Sequence, residues 1–290
     1  MTQTLPAHLP KAVTTAQQQH IVNIVRRAAK AEILPRFRNL NAADIATKSG
    51  PNDLVTEADI AAEAMITRAL KIAFPDALIV GEEAVAADPS LQDALADAPL
   101  AFIIDPVDGT WNFAKGIGLF GVILAVTRYG RPAFGLIYDP LADDWAIADE
   151  DGPARLENGN GTSRPLQAAM GKPIENLVGF IPHQLFKGEK QQKLVACIPS
   201  FAQTNTLLCS AHEYRQIAQG HVDFVISSAR PNPWDHAAGV LICQQAGGYA
   251  EMLAGGAYTA DQNEGYLLTA PDKTTWNKLK KLLSFLLEDD

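Results

Sequence analysis

Phe102-Ile103-Ile104-Asp105-Pro106-Val107-Asp108-Gly109-Thr110 joins an apolar run to two acids three residues apart, with a proline between them and a glycine after. The Phe and Ile residues have the aromatic and β-branched character of a buried strand, and the Pro and Gly positions mark where it turns. Two carboxylates at such a strand end can converge on one point, and hard divalent cations such as Mg²⁺ take oxygen ligands of this kind. Gly109 permits close backbone approach, and the Gly109 and Thr110 N–H groups can face an anion with the Thr110 hydroxyl nearby. The combination suits phosphate chemistry. On its own, the run is a weak signal and more often an acidic turn that satisfies its own backbone.

On the N-terminal side, apolar residues recur at helical spacing over residues 19–37 (Ile21, Ile24, Val25, Ala28, Ala29, Ile33), until Pro35 disturbs the ladder. A turn-rich segment, Thr47-Lys48-Ser49-Gly50-Pro51-Asn52-Asp53, follows. Thr56-Glu57-Ala58-Asp59 then opens a second amphipathic helix to about residue 73, with Thr56 and Asp59 spaced as a capping box. Apolar runs at 77–80, 101–104, 121–129, 132–138 and 145–148 read as strands, several adjacent without helices between them, which predicts antiparallel pairing. After a loop-like stretch at 151–161 the pattern alternates. Strands are predicted near 177–181, 203–208, 222–226, 249–252 and 266–269, and helices at 188–197, 211–219, 234–246 and 274–287. The expected organisation is a loose lead-in (1–18), an α+β half (19–150) and an α/β half (151–290).

At 290 residues, 47% hydrophobic and 20% charged, the chain has the composition of a folded protein with a sizeable core. A net charge of -9, with 24 Lys and Arg against 33 Asp and Glu, argues against a nucleic-acid partner. Cys197, Cys209 and Cys243 are widely spaced and odd in number, as reduced, buried thiols of a cytoplasmic protein would be. Residues 1–19 lack the apolar core of a secretion signal, and no run approaches the ~20 apolar residues that span a bilayer. A membrane partner is therefore not expected. His183, His212, His221 and His236 lie at unrelated spacings and suggest no metal set, though a supporting role for His236 beside Asp235 is an open hypothesis. Trp111 reads as a packing residue, and Lys187, Lys190 and Lys193 as a solvated helix face.

Two further acidic stretches stand with the first. Val80-Gly81-Glu82-Glu83 puts paired carboxylates after another short strand, and Trp234-Asp235 puts one at the start of a helix, where Asp also serves as a plain cap. Asp53-Leu54-Val55-Thr56-Glu57-Ala58-Asp59, Val80-Gly81-Glu82-Glu83, Ile104-Asp105-Pro106-Val107-Asp108-Gly109-Thr110-Trp111-Asn112-Phe113, and Pro233-Trp234-Asp235-His236-Ala237-Ala238-Gly239 with Ala246-Gly247-Gly248 occur in that order. Together they resemble the inositol monophosphatase family of metal-dependent phosphatases, over nearly the whole chain from about Ile21.

The resemblance implies a layered αβαβα sandwich of the sugar-phosphatase type, usually homodimeric and often lithium-sensitive, with Lys48 near the ion site. By similarity, Glu82, Asp105 and the Val107 carbonyl would hold one Mg²⁺, and Asp105, Asp108 and Asp235 a second. A third, mostly water-coordinated ion would sit near Glu82. Thr110 and Asp59 would orient the attacking water, Glu82 being a further proton acceptor. Asp108, Gly109, Thr110, Ser210 and Asp235 would face a small phosphorylated polyol or sugar. The implied activity is Mg²⁺-dependent hydrolysis of a phosphate monoester, inositol 1-phosphate first, by metal-activated water and without a phospho-enzyme. Bisphosphate nucleotidase, fructose-1,6-bisphosphatase and histidinol-phosphate phosphatase are alternatives. A regulatory binding protein associated with the transcription machinery is an alternative of another class. The chain departs from the family where many inositol phosphatases have Gly-Ser/Thr-Ala-Ala. Here Leu208-Cys209-Ser210-Ala211-His212-Glu213 stands instead, and Ile226-Ser227-Ser228 supplies no acid for substrate hydroxyls.

Overall fold

The computed structural model describes residues 11–48 and 54–288, so most of the expected lead-in at 1–18 and residues 49–53 of the turn-rich segment lie outside it. Helix α1 (Thr15–Ala28) starts at a capping box in which the Thr14 hydroxyl accepts from Gln17 N and the Gln17 side chain accepts from Thr14 N. The helix predicted to residue 37 continues as a π turn at Ala29–Ile33 and a 3₁₀ turn at Leu34–Arg36, where Pro35 cannot donate to the α ladder. Strands β1 (Ile45–Thr47) and β2 (Leu54–Thr56) pair antiparallel and lead into α2 (Glu57–Ala73). Asp59 closes the predicted capping box there, accepting from Thr56 N at 2.9 Å.

Strand β3 (Leu78–Gly81) gives way to α3 (Glu82–Ala87) and α4 (Ser90–Asp93), and β4 (Ala101–Asp108) returns parallel to β3. After α5 (Thr110–Ala114) come β5 (Gly121–Arg128), β6 (Arg131–Asp139), β7 (Asp144–Asp149), β8 (Arg155–Asn158) and β9 (Ser163–Pro165), which run as an antiparallel meander beside β4. The stretch at 151–161 is therefore not wholly loop. Strand β8 is half-buried throughout and tied by its ladder to β7 and by Glu157 to the Trp145 indole, so no apolar alternation announces it. The first sheet runs on to Pro165, past the soft boundary expected near residue 150.

The second sheet is built from β10 (Val178–Phe180), then α6 (Gly188–Cys197), β11 (Gln203–Asn205), α7 (Ser210–Ala218), β12 (Phe224–Ile226), α8 (Pro233–Gln245), β13 (Tyr249–Met252), β14 (Leu267–Ala270) and α9 (Lys273–Leu282). Its order is β11-β10-β12-β14-β13, with the first three strands parallel and β14 antiparallel to both its neighbours. The last predicted helix ends as a 3₁₀ turn at Ser284–Leu287.

Side-chain alternation sorts these elements into layers. Phe102, Ile104, Val122, Leu124, Phe134 and Leu136 face α1 and α2, whereas Ile103, Ile123, Ala125 and Ile137 face α7 and α8. The opposite side of that helix pair meets Val225, Ala250 and Leu267 of the second sheet, whose far face packs Phe224, Ile226 and Leu268 against α6 and α9. The order is helix, sheet, helix, sheet, helix, and α7 and α8 belong to both sheets' cores.

Close approach of α8 to the first sheet depends on Gly135, where an added Cβ would lie 2.7 Å from the Ala238 carbonyl oxygen and 3.1 Å from its Cα. Gly135→Ala is expected to destabilise the fold by about 1–3 kcal/mol, lowering the melting temperature by roughly 2–4 °C per kcal/mol. Thermal unfolding measures this, and an unchanged midpoint would mean that α8 stands off the sheet.

Candidate metal centre

In a regular strand, Asp105 and Asp108, three residues apart, would point to opposite faces. The register of β4 on β5 prevents this: Asp105 pairs with Ile123 and Asp108 with Gly121, so three steps on β4 match two on β5. The extra residue is a bulge at Pro106-Val107, where proline has no N–H to leave unpaired. It returns Val107 to the face shared with Ile104 and brings both aspartates to the face towards α7 and α8. There they meet Asp235 in the first turn of α8, and ligand oxygens of the three lie within 4.8 Å of one another.

Each carboxylate is supported by neutral donors. Asp108 accepts from the Cys209 thiol at 3.0 Å, from Ser210 N at 3.1 Å and from Ala211 N at 2.6 Å, and so caps α7 from across the fold. Val107 N donates to Asp105 at 3.1 Å, and Asn232 Nδ2 to Asp235 at 3.1 Å. Among the described residues no Lys or Arg forms an ion pair with any of the three. Burial raises the pKa of all three, Asp108 to about 6, and Glu82 adds like-charge repulsion at Asp105. A close all-oxygen donor set with unbalanced negative charge fits a hard divalent cation.

A second group borders this one. The Thr110 hydroxyl lies 3.0 Å from both Asp59 Oδ1 and the Val107 carbonyl oxygen. Asp59 is fully buried, and burial pushes it up to about 7 against the opposing hydrogen bonds from Thr56. Glu82, at the start of α3, stands outside the tight trio and pairs with Lys48 Nζ at 2.8 Å, while Glu83 takes the same ammonium at 2.7 Å. Burial works against the Lys48 charge, but the two glutamates raise its pKa overall. Glu63 receives Glu83 N and Ala84 N, each at 2.9 Å, and thereby fixes the turn that presents Glu82. Gly109 takes a φ of 86°, with room for a Cβ denied by the Leu119 carbonyl at 2.8 Å.

These groups open onto a cleft of about 510 Å³ whose walls include Trp111, Leu185, Leu208, Ser210, Glu213 and His236. The structure thus draws Asp59, Glu82, Asp105, Val107, Asp108, Gly109, Thr110, Ser210 and Asp235 to one place. Trp111, read as packing, is a half-buried wall of the cleft. Residue types alone could not reveal the Ser210 and Ala211 amides on Asp108, because backbone donors leave no signature in a sequence, and the Cys209 thiol joins them only through the fold.

The sequence model of the inositol monophosphatase family matches residues 15–286. The Nus factor SuhB of Vibrio cholerae is 31% identical over 242 residues, covering 81% of this chain and 86% of that protein. A fructose-1,6-bisphosphatase/inositol-1-monophosphatase of Thermotoga maritima is 30% identical over 216 residues, 73% of this chain and 76% of the relative. The solved structure of a staphylococcal IMPase-II bound to inositol monophosphate has a TM-score of 0.75, covering 94% of this chain and 97% of its own at 20% identity, a likeness of fold alone.

Glu213, 7% exposed on the cleft wall, is pushed up to about 7 by burial, against hydrogen bonds from Leu207 N and Thr206 Oγ1. Because its folded pKa lies above the unfolded value, its contribution is complete below about pH 4.5 and is lost as pH rises through 7. Glu213→Gln keeps an acceptor for Leu207 N. In urea titrations of metal-free protein it is expected to lose less stability between pH 5 and pH 8 than the parent chain.

Proposed function

The chain belongs to the inositol monophosphatase family, and from that premise we infer that it hydrolyses phosphate monoesters with Mg²⁺ held by Asp105, Asp108 and Asp235. Glu82 and the Val107 carbonyl are the further ligands in this reading, which takes in two or three ions. The observation that carries it is the trio of carboxylates within 4.8 Å, with no Lys or Arg paired to it among the described residues, at the base of a cleft. Magnesium, when bound, supplies positive charge for the phosphoryl oxygens and acidifies a water.

The chain's own residues account for the rest. The Thr110 hydroxyl has one hydrogen to give, to Asp59 or to the Val107 carbonyl, and so turns an oxygen lone pair outward to accept from a water in the cleft. Passing its own proton to Asp59 lets Thr110 relay one from that water, and Asp59, held near 7, can receive it. Glu82 is a second acceptor. Gly109 and Ser210 border the space for the phosphate, and the wider cleft receives the alcohol. Inositol 1-phosphate is the favoured substrate, supported by the family and by a fold shared with an IMPase bound to inositol monophosphate. Fructose 1,6-bisphosphate stands next, on the name of the Thermotoga relative. Homodimeric assembly and lithium sensitivity follow from the same family reading, and free cysteines support a cytoplasmic setting.

A second reading has support of another kind. Relatives at 31% identity bear the name Nus factor SuhB, which favours a regulatory binding role in transcription beside or in place of catalysis.

Phosphate release from inositol 1-phosphate, fructose 1,6-bisphosphate, adenosine 3',5'-bisphosphate and histidinol phosphate, with and without Mg²⁺, separates these readings. Asp105→Asn is expected to lower kcat/KM on the order of 10³-fold, the equivalent of several kcal/mol of lost charge stabilisation. Thr110→Val should lower kcat about 10²-fold with KM little changed, while Thr110→Ser retains most activity. Failure of all four esters, with co-purification of a transcription protein, would favour the binding role.

A further inference from the structure

His236 follows Asp235 in α8 and is 8% exposed, yet it is among the residues that line the cleft. Its Nδ1 lies 2.9 Å from the Tyr214 hydroxyl, and the rings meet edge to face with centroids 5.8 Å apart. Among the described residues nothing in the protein engages Nε2, so an unpartnered ring nitrogen of a nine-tenths-buried side chain is left for the cleft.

The direction of the Tyr214 bond decides what that nitrogen offers. Tyr214 is 1% exposed, and burial holds its pKa well above the ordinary phenol value, so the hydroxyl keeps its proton. The Thr269 hydroxyl also neighbours the phenol and has no other hydrogen-bond partner among the described residues, so its proton goes to the Tyr214 oxygen and His236 Nδ1 is left as the phenol's acceptor. If Nδ1 carried the hydrogen instead, one of the two buried hydroxyl protons, of Tyr214 or of Thr269, would be left without an acceptor, the costlier way to leave a polar group unmade. Tyr214 therefore donates to Nδ1, and the neutral ring carries its own hydrogen on Nε2. The geometry is locked from behind: a Cβ at Gly239 would fall 2.2 Å from the Tyr214 ring, so the glycine lets that ring press against the α8 backbone.

We propose that His236 is a substrate-binding residue whose Nε2–H donates to an oxygen on the alcohol part of the phosphate ester, and that Tyr214 is the positioning residue that sets this tautomer. The proposal rests on the phosphatase reading and narrows the substrate class to esters of polyols or sugars. An alcohol without a second oxygen would leave the buried donor unpaired.

The test compares kcat/KM for inositol 1-phosphate with that for cyclohexyl phosphate, the same ring without further hydroxyls. His236→Phe keeps a ring against Tyr214 but removes the donor, and the preference for inositol 1-phosphate is expected to fall about tenfold, the value of one lost hydrogen bond. Tyr214→Phe should reduce the preference severalfold. A two-bond ¹H–¹⁵N spectrum of the parent protein, which does not depend on either variant folding, should show His236 protonated at Nε2 and bare at Nδ1. In Tyr214→Phe the same spectrum should show a mixture of the two tautomers. Hydrolysis of both esters with an unchanged preference in His236→Phe, or a hydrogen on Nδ1 in the parent spectrum, would overturn the proposal and leave the phosphatase reading intact. Failure of both esters would overturn the two together.

Discussion

Three carboxylates confined within 4.8 Å repel one another, by roughly 3–4 kcal/mol per ionised pair at an effective dielectric of about 20. The rest of the site can be understood as what holds them there. The β4 bulge turns two of them to one face, α8 delivers the third, and α7 gives its first amides to Asp108. Lys48 sits one step away, on Glu82 and Glu83, where it steadies the rim without neutralising the centre. A cation in the middle would relieve the repulsion that burial magnifies.

Much of this was legible in the sequence because it follows from periodicity and punctuation. The apolar run at 101–104, the capping box at Thr56 and Asp59, and the alternation of strands and helices after residue 177 all lie where side-chain pattern reflects burial. The layered αβαβα order and most site residues came through the resemblance. What was hidden is physical in kind. A strand such as β8, half-buried at every position, carries no alternation to read. Pro106 hints at a break in the ladder but does not say that one residue is absorbed by a bulge. Cys209 has the composition of a small core residue, and only the fold shows its thiol on Asp108.

The pair α7 and α8 does two jobs at once. Their small residues, Ala211, Ala237 and Ala238, let two sheets close on them from opposite sides, with Gly121 and Gly135 giving the first sheet its nearest approach. Their N-terminal ends meet at the cleft. The two halves inferred from the sequence therefore share one interior, and the chemistry lies where that shared layer emerges.

The bulge also makes chain length between residues 105 and 108 matter as much as residue identity. A one-residue deletion there would keep every acid and still turn Asp108 away, into the layer occupied by Phe102 and Ile104. Descendants of this sequence can explore substitutions along the segment one at a time, but a change in its length has no gradual path. The separation of the two aspartates is a frozen measure, and related chains should preserve that count even where the amino acids around it have drifted.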